Sequence, residues 1–183
     1  MTPVTFSGAV LTGGRSSRFG SDKARHPYEG RALTARVLDS LSEASERFLV
    51  ANRAYPEFGV NVYPDLLPVA GPLTGIYTAL KYAQADWVAV AACDLPHLSA
   101  AYWQALRPHC QDTQAVVVQR EGGLEPLAAL YHKSAADPIR DQLSRHQLAV
   151  HALLGRIETV TLPWEKLGLP PDTLHNVNHP GDL

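Results

Sequence analysis

Cysteine is scarce in this sequence of 183 residues: there are two, Cys93 and Cys110, and no CxxC pair. That argues against a disulfide framework and makes a reducing, cytoplasmic setting the expectation. The eight histidines form no HExxH pattern and no Cys/His group at zinc spacing, so a zinc site is not expected. No stretch approaches the ~20 apolar residues that span a bilayer, which argues against a membrane role. Residues 1–6 lack the basic stretch and long apolar run of a secretion signal, and none is expected. An excess of one charge is missing too, because 16 Lys and Arg face 18 Asp and Glu for a net charge of −2. Nucleic acid is therefore not an expected partner. Any anion this chain binds has to be held by local geometry rather than by global charge.

What is present suits a globular core. Hydrophobic residues are 45% of the chain and charged residues 19%, a balance that argues against disorder. The length fits one domain over residues 1–183, without a visible repeat, linker or low-complexity tract. Apolar runs alternate with amphipathic segments. Phe6 to Leu11 reads as a first strand, and Leu33, Val37, Leu38 and Leu41 recur at helical spacing. Residues 48–51 and 60–63 read as further strands. Leu73, Ile76, Tyr77 and Leu80 mark a second helical face, and Trp87 to Ala92 is the cleanest buried strand. Ser99 is placed to cap a helix running to about His109. Residues 115–118 and 127–131 read as two strands around Gly122-Gly123, so one hairpin is expected to interrupt the parallel order. Ile139 and Leu143 suggest a helix, Val150, Leu153, Leu154 and Ile157 another, and residues 159–162 a late strand.

Strands alternating with helices predict an α/β fold: a Rossmann-like three-layer sandwich with right-handed crossovers and a mostly parallel sheet. Ligands of such sheets sit beyond the carboxyl ends of strands. The loops after Leu11, after Tyr63 and after Ala92 are therefore the ones to read for chemistry.

The first of these loops contains Leu11-Thr12-Gly13-Gly14-Arg15-Ser16-Ser17-Arg18-Phe19-Gly20-Ser21-Asp22-Lys23. Paired glycines after a strand let backbone N–H groups turn toward an anion. Arg18 and Lys23 add charge where a triphosphate would lie. The string is neither a Walker A loop nor a GxGxxG fingerprint. Ser16 and Ser17 lack a GxSxG setting, so acyl chemistry is not expected. In Ala91-Ala92-Cys93-Asp94-Leu95-Pro96, Asp94 ends the cleanest strand, where a carboxylate can hold Mg²⁺ together with phosphate oxygens. Cys93 beside it reads as a small buried filler. Trp87 and Trp103 read as core, and Trp164 as a candidate to cover a ligand. Asp65 precedes Gly71-Pro72-Leu73-Thr74-Gly75, whose proline suits the first turn of a helix. Carboxylate and amide oxygens such as those of Asp65 and Asn52 are natural acceptors for the N1–H and amine of guanine.

Together these strings resemble the nucleotidyltransferases with a GT-A-like core, whose loop signature is LAGGxSxRMGxDK. Thr12 stands for Ala and Phe19 for Met, and neither change removes a glycine or a cation. Asp94 lies in a match to CDMPxL, with Leu95 for Met. Asp65 and residues 71–75 match D…GPLxG, and residues 125–131, Glu-Pro-Leu-Ala-Ala-Leu-Tyr, resemble PLFALY. The tail Asn176-Val177-Asn178-His179-Pro180-Gly181-Asp182-Leu183 resembles NxNTPEDL, with His179 for Thr and Gly181 for Glu. The last three narrow the resemblance, which runs from Ala9 to the end of the chain, to the molybdenum cofactor guanylyltransferases.

That resemblance implies transfer of GMP from GTP to the terminal phosphate of molybdopterin, with Mg²⁺ as cofactor. It implies that Leu11, Thr12, Gly13, Gly14, Lys23, Asn52, Asp65 and Asp94 bind the nucleotide. Lys23 and Arg18 would stabilise the phosphates, Asp94 would hold the metal, and Asn176 and Asn178 would lie on the acceptor side. Which of Asn52 and Asp65 meets the base stays open. Proteins that deliver molybdopterin and that mature molybdoenzymes are the implied partners. The alternatives are a CTP-dependent cytidylyltransferase, a sugar-phosphate nucleotidyltransferase and a catalytically silent nucleotide-binding module.

Overall fold

A computed structural model describes residues 2–12, 22–178 and 180–182. Its central sheet has the strand order β10-β7-β9-β6-β1-β4-β5, with β8 paired to β7. The strands of the carboxyl-terminal crevice are β1 (Phe6–Leu11), β4 (Arg47–Val50), β5 (Asn61–Tyr63) and β6 (Trp87–Ala92). These four run parallel, in register Leu11↔Val50 and Leu11↔Ala92. A small hairpin of β2 (Pro27–Tyr28) and β3 (Arg31–Ala32), unforeseen in the sequence, stands apart from the sheet and leads into α1 (Leu33–Ser40).

The expected hairpin exists in a more elaborate form. β7 (Ala115–Arg120) turns through β8 (Gly123–Leu124) into β9 (Ala128–His132), which runs antiparallel between β7 and β6. β10 (Thr159–Pro163) then closes that edge parallel to β7.

The buried strands look uniformly apolar in sequence, yet their side chains divide by parity between two layers. Phe6, Val10, Leu49, Ala89, Ala91, Val116 and Leu130 face a core shared with Val37 and Leu38 of α1, with Leu41 just past its end, and with Tyr102, Trp103 and Leu106 of α3 (Ala100–Leu106). Ala9, Leu11, Phe48, Val50, Val88, Val90, Val117 and Tyr131 face the opposite core. There they meet α2 (Pro72–Tyr82), α4 (Ala136–Ser144) and α5 (Val150–Leu154). Trp87 and Trp103 are core residues, and Trp164 packs against the first layer, partly buried. Ser99 stands at the start of α3, but its hydroxyl makes no capping bond. The last turn to His109 is a 3₁₀ helix.

This order creates a switch point. From β1 the chain passes over one face to β4 and β5, then returns over the other face to β6 on the far side of β1. The chain leaves β1 toward β4 and leaves β6 toward β7, in opposite directions along the sheet, with α1 and α3 on the same face. A crevice opens at the carboxyl ends of β1 and β6, as in other open α/β sheets.

Candidate active site

The mouth of the crevice is tied together by backbone bonds. Thr12 N–H donates to the Val50 carbonyl at 3.1 Å, and Cys93 N–H donates to the Leu11 carbonyl at 3.2 Å. Both glycines of the Gly71–Gly75 string have a structural cause. Gly71 adopts φ +135° at the start of α2, a conformation side chains rarely take. At Gly75 a Cβ would lie 3.1 Å from Leu11 Cδ1, so the missing atom lets the helix pack closely on the end of β1 without displacing that side chain.

Lys23 opens a short 3₁₀ turn just after the first loop. Asp22 caps that turn through Oδ1, which accepts from Ala24 N–H and from the Tyr55 hydroxyl, both at 3.1 Å. So placed, Lys23 Nζ lies 3.1 Å from Asp94 Oδ2 and 3.4 Å from Asn178 Oδ1. The pair is about four-fifths buried, with side-chain exposures of 20% and 21%. The tail is brought in by its own backbone, because Val177 N–H donates to the Asp94 carbonyl at 2.9 Å. Val177 is fully buried against Leu33 at the start of α1. Asn178 is thereby held at the site, while Asn176 is exposed and makes no hydrogen bond to these groups among the described residues.

A hard divalent cation would find the Asp94 carboxylate here. Among the described residues no group of three or more His, Cys, Asp or Glu could hold a metal. That donor set fits a Mg²⁺-type ion, which commonly takes one or two carboxylates and completes its shell with water and substrate phosphates.

Asn52, just past β4, and Asp65, past β5, form a reciprocal clasp. Asn52 Nδ2 donates to Asp65 Oδ2 at 3.0 Å, and Asp65 N–H donates to Asn52 Oδ1 at 2.9 Å. Each end of the amide already serves Asp65. The carboxylate keeps acceptor capacity to spare, so in this state Asn52 orients Asp65. Gly13, Gly14 and Arg18 lie outside the described residues.

Three further groups stand near the mouth with little or no signal in the sequence. Glu125 precedes β9 and accepts from Arg120 Nη1 at 3.1 Å, and the same nitrogen donates to the Leu174 carbonyl at 3.0 Å. Burial raises the Glu125 pKa above the usual carboxylate range; Arg120 opposes the shift and Asp94 adds to it. The Tyr28 hydroxyl lies 2.8 Å from His97 Nε2, and His97 Nδ1 lies 3.3 Å from Asp172 Oδ2. The Glu-Pro pair after a Gly-Gly turn was the one local signal for the first of these. Tyr28 and His97 are 69 residues apart and left none. Cys93 behaves as filler, its thiol pushed up to about 12 by burial.

Residues 8–160 match the MobA-like NTP transferase domain family. A probable molybdenum cofactor guanylyltransferase of Deinococcus radiodurans is 35% identical over 186 residues, covering 100% of this chain and 93% of that protein. Its counterpart in Bacillus subtilis is 36% identical, covering 95% of this chain and 90% of that protein. The crystal structure of molybdopterin-guanine dinucleotide biosynthesis protein A from Archaeoglobus fulgidus superposes with a TM-score of 0.84 at 26% identity. The match covers 96% of this chain and 94% of that one. The chain belongs to the MobA-like NTP transferase family.

Proposed function

We propose that residues 1–183 act as a single nucleotidyltransferase domain that transfers GMP from GTP to the terminal phosphate of molybdopterin, releasing pyrophosphate. The observation that carries this reading is the meeting of Lys23, Asp94 and Asn178 at the switch point, in a chain whose curated relatives are named for that reaction. An oxygen of the acceptor phosphate attacks the α-phosphorus of GTP, and the bond from that phosphorus to the α–β bridging oxygen breaks. The acceptor is already an anionic nucleophile, so the protein's contribution is positioning and charge neutralisation.

Lys23 moves from Asp94 to the triphosphate, with Arg18 as a second cation. The backbone of Leu11, Thr12, Gly13 and Gly14 wraps the phosphates. Asp65, steadied by Asn52, receives the nucleoside. Asn178, with Asn176 beside it, marks the acceptor side. A Mg²⁺ held by Asp94 would neutralise the phosphate oxygens as the leaving group departs. Two buried, unpaired thiols support a reducing, cytoplasmic setting. Among the described residues no helix is long and apolar enough to cross a membrane. Proteins that deliver molybdopterin and that receive the product are the partners of this reading.

Calorimetric titration with GTP, CTP, ATP and UTP, each with and without Mg²⁺, tests it. Selective GTP binding, followed by transfer of GMP to molybdopterin, is the expected result. A preference for CTP would make the chain a cytidylyltransferase, and no nucleotide binding would remove the enzyme reading.

A further inference from the structure

The strand that returns after the Gly122-Gly123 turn is out of step with its partner. Gln119 pairs with Leu124 and Val116 with Leu130. Between those pairs the returning chain uses residues 125–129 where β7 uses only 117 and 118. The surplus forms a bulge, and every turn of it is tied down. Glu125 N–H donates to the Val118 carbonyl at 2.9 Å, the buried Tyr131 hydroxyl donates to the Pro126 carbonyl at 2.7 Å, and Ala92 N–H donates to the Leu127 carbonyl at 2.8 Å. Bulges re-aim side chains and are common beside active sites.

This one leaves Glu125 at the carboxyl end of β6, where the charge of Asp94 acts on it. Glu125 and Asp94 each lie two residues beyond the Ala92–Leu127 bond, on adjacent antiparallel strands, at the same end of the sheet. The tail spans the two carboxylates: Leu174 is bonded to Arg120, the partner of Glu125, and Val177 to Asp94. The Asn52–Asp65 clasp stands on the other side of β1, beyond β4 and β5. Glu125 thus lies on the side of Asp94 away from the nucleoside. Its side chain is 26% exposed, Oε1 accepts from Arg120, and Oε2 accepts no hydrogen bond among the described residues.

We propose that Glu125 is a specificity residue for the acceptor, its carboxylate receiving the 2-amino group and ring N–H of a pterin. This rests on the proposed function, since it places the far end of the acceptor whose phosphate reacts beside Asp94. The edge of a 2-aminopyrimidinone presents two parallel donors, and a fixed carboxylate has acceptor sites for both. Arg120 orients Glu125 and anchors the tail without exhausting those sites.

The test uses two fluorescent probes, a pterin and a lumazine bearing the same 6-phosphomethyl group, which differ by an amine against a carbonyl at position 2. Fluorescence titration of the wild-type chain is expected to favour the pterin by about 10–100-fold, the range for a charge-assisted hydrogen bond to a buried group. Glu125→Gln keeps an oxygen for Arg120 but lacks the carboxylate, and its preference should fall to about twofold or less with GTP affinity and melting temperature unchanged. Glu125→Asp, with the charge withdrawn by one methylene, should recover part of the preference. If Glu125→Gln discriminates as well as the wild type while still transferring GMP to molybdopterin, the role of Glu125 is overturned and the proposed function survives. If the wild-type chain binds GTP but transfers GMP to no pterin phosphate, the proposed function falls and this inference falls with it.

Discussion

Replacing Asp94 by asparagine separates the two roles proposed for one carboxylate, because they push nucleotide affinity in opposite directions. Asp94 holds Lys23 at 3.1 Å, with each side chain about one-fifth exposed. At that distance a pair of unit charges is worth ~1 kcal/mol in water and ~5 kcal/mol at an effective dielectric of 20. Residual solvent access and desolvation put the net attraction near the lower end, about 1–2 kcal/mol. GTP without metal has to draw Lys23 away from Asp94 and bring a triphosphate close to that carboxylate. In Asp94→Asn both penalties vanish, so metal-free GTP should bind about 5–30-fold more tightly. With Mg²⁺ the order reverses: the wild type gains affinity and the variant gains little. Transfer should drop by about 10²–10³ or more, as for loss of other preorganised electrostatic groups. Titration in chelator and again in Mg²⁺ reads both arms. If Asp94→Asn kept the wild-type metal dependence, Asp94 would not be the metal ligand. If metal-free affinity did not rise, the Lys23–Asp94 pair would not be a contact that GTP has to open.

Asn52→Ala removes both bonds to Asp65, and GTP affinity should fall by about tenfold, the worth of one charged hydrogen bond on a partly exposed surface. Inorganic pyrophosphate, which lacks the nucleoside, should bind unchanged, and an equal loss for both ligands would contradict the clasp. Gly8→Ala tests the packing of β1, where a Cβ would lie 3.1 Å from both Cβ and Cδ1 of Leu41. The Leu41 Cβ moves only with its backbone, so overpacking should cost about 1–3 kcal/mol, or about 2–12 °C in melting temperature followed by circular dichroism. Activity per folded molecule should hold, since Gly8 lies inside β1 rather than at its carboxyl end.

The sequence by itself determined the α/β class, because buried parallel strands and amphipathic helices differ in period and alternate along the chain. It also marked Lys23, Asp65 and Asp94, because strand-end loops rich in Gly, Pro and charge are local strings. Detail there was local too: Ser99 takes the N-cap position expected of it, although its hydroxyl makes no capping bond. Tertiary structure decided what meets what. Lys23 and Asp94 are 71 residues apart, and Lys23 and Asn178 are 155 apart. Their contact follows from strand order, which periodicity does not encode. Glu125 shows the same limit more sharply. Residues 125–131 read as one apolar strand with an acidic start. Only the registers against β6 and β7 reveal that the chain runs long there, and that the excess leaves Glu125 at the same end of the sheet as Asp94. A bulge is a mismatch between two strands, so no single segment carries it.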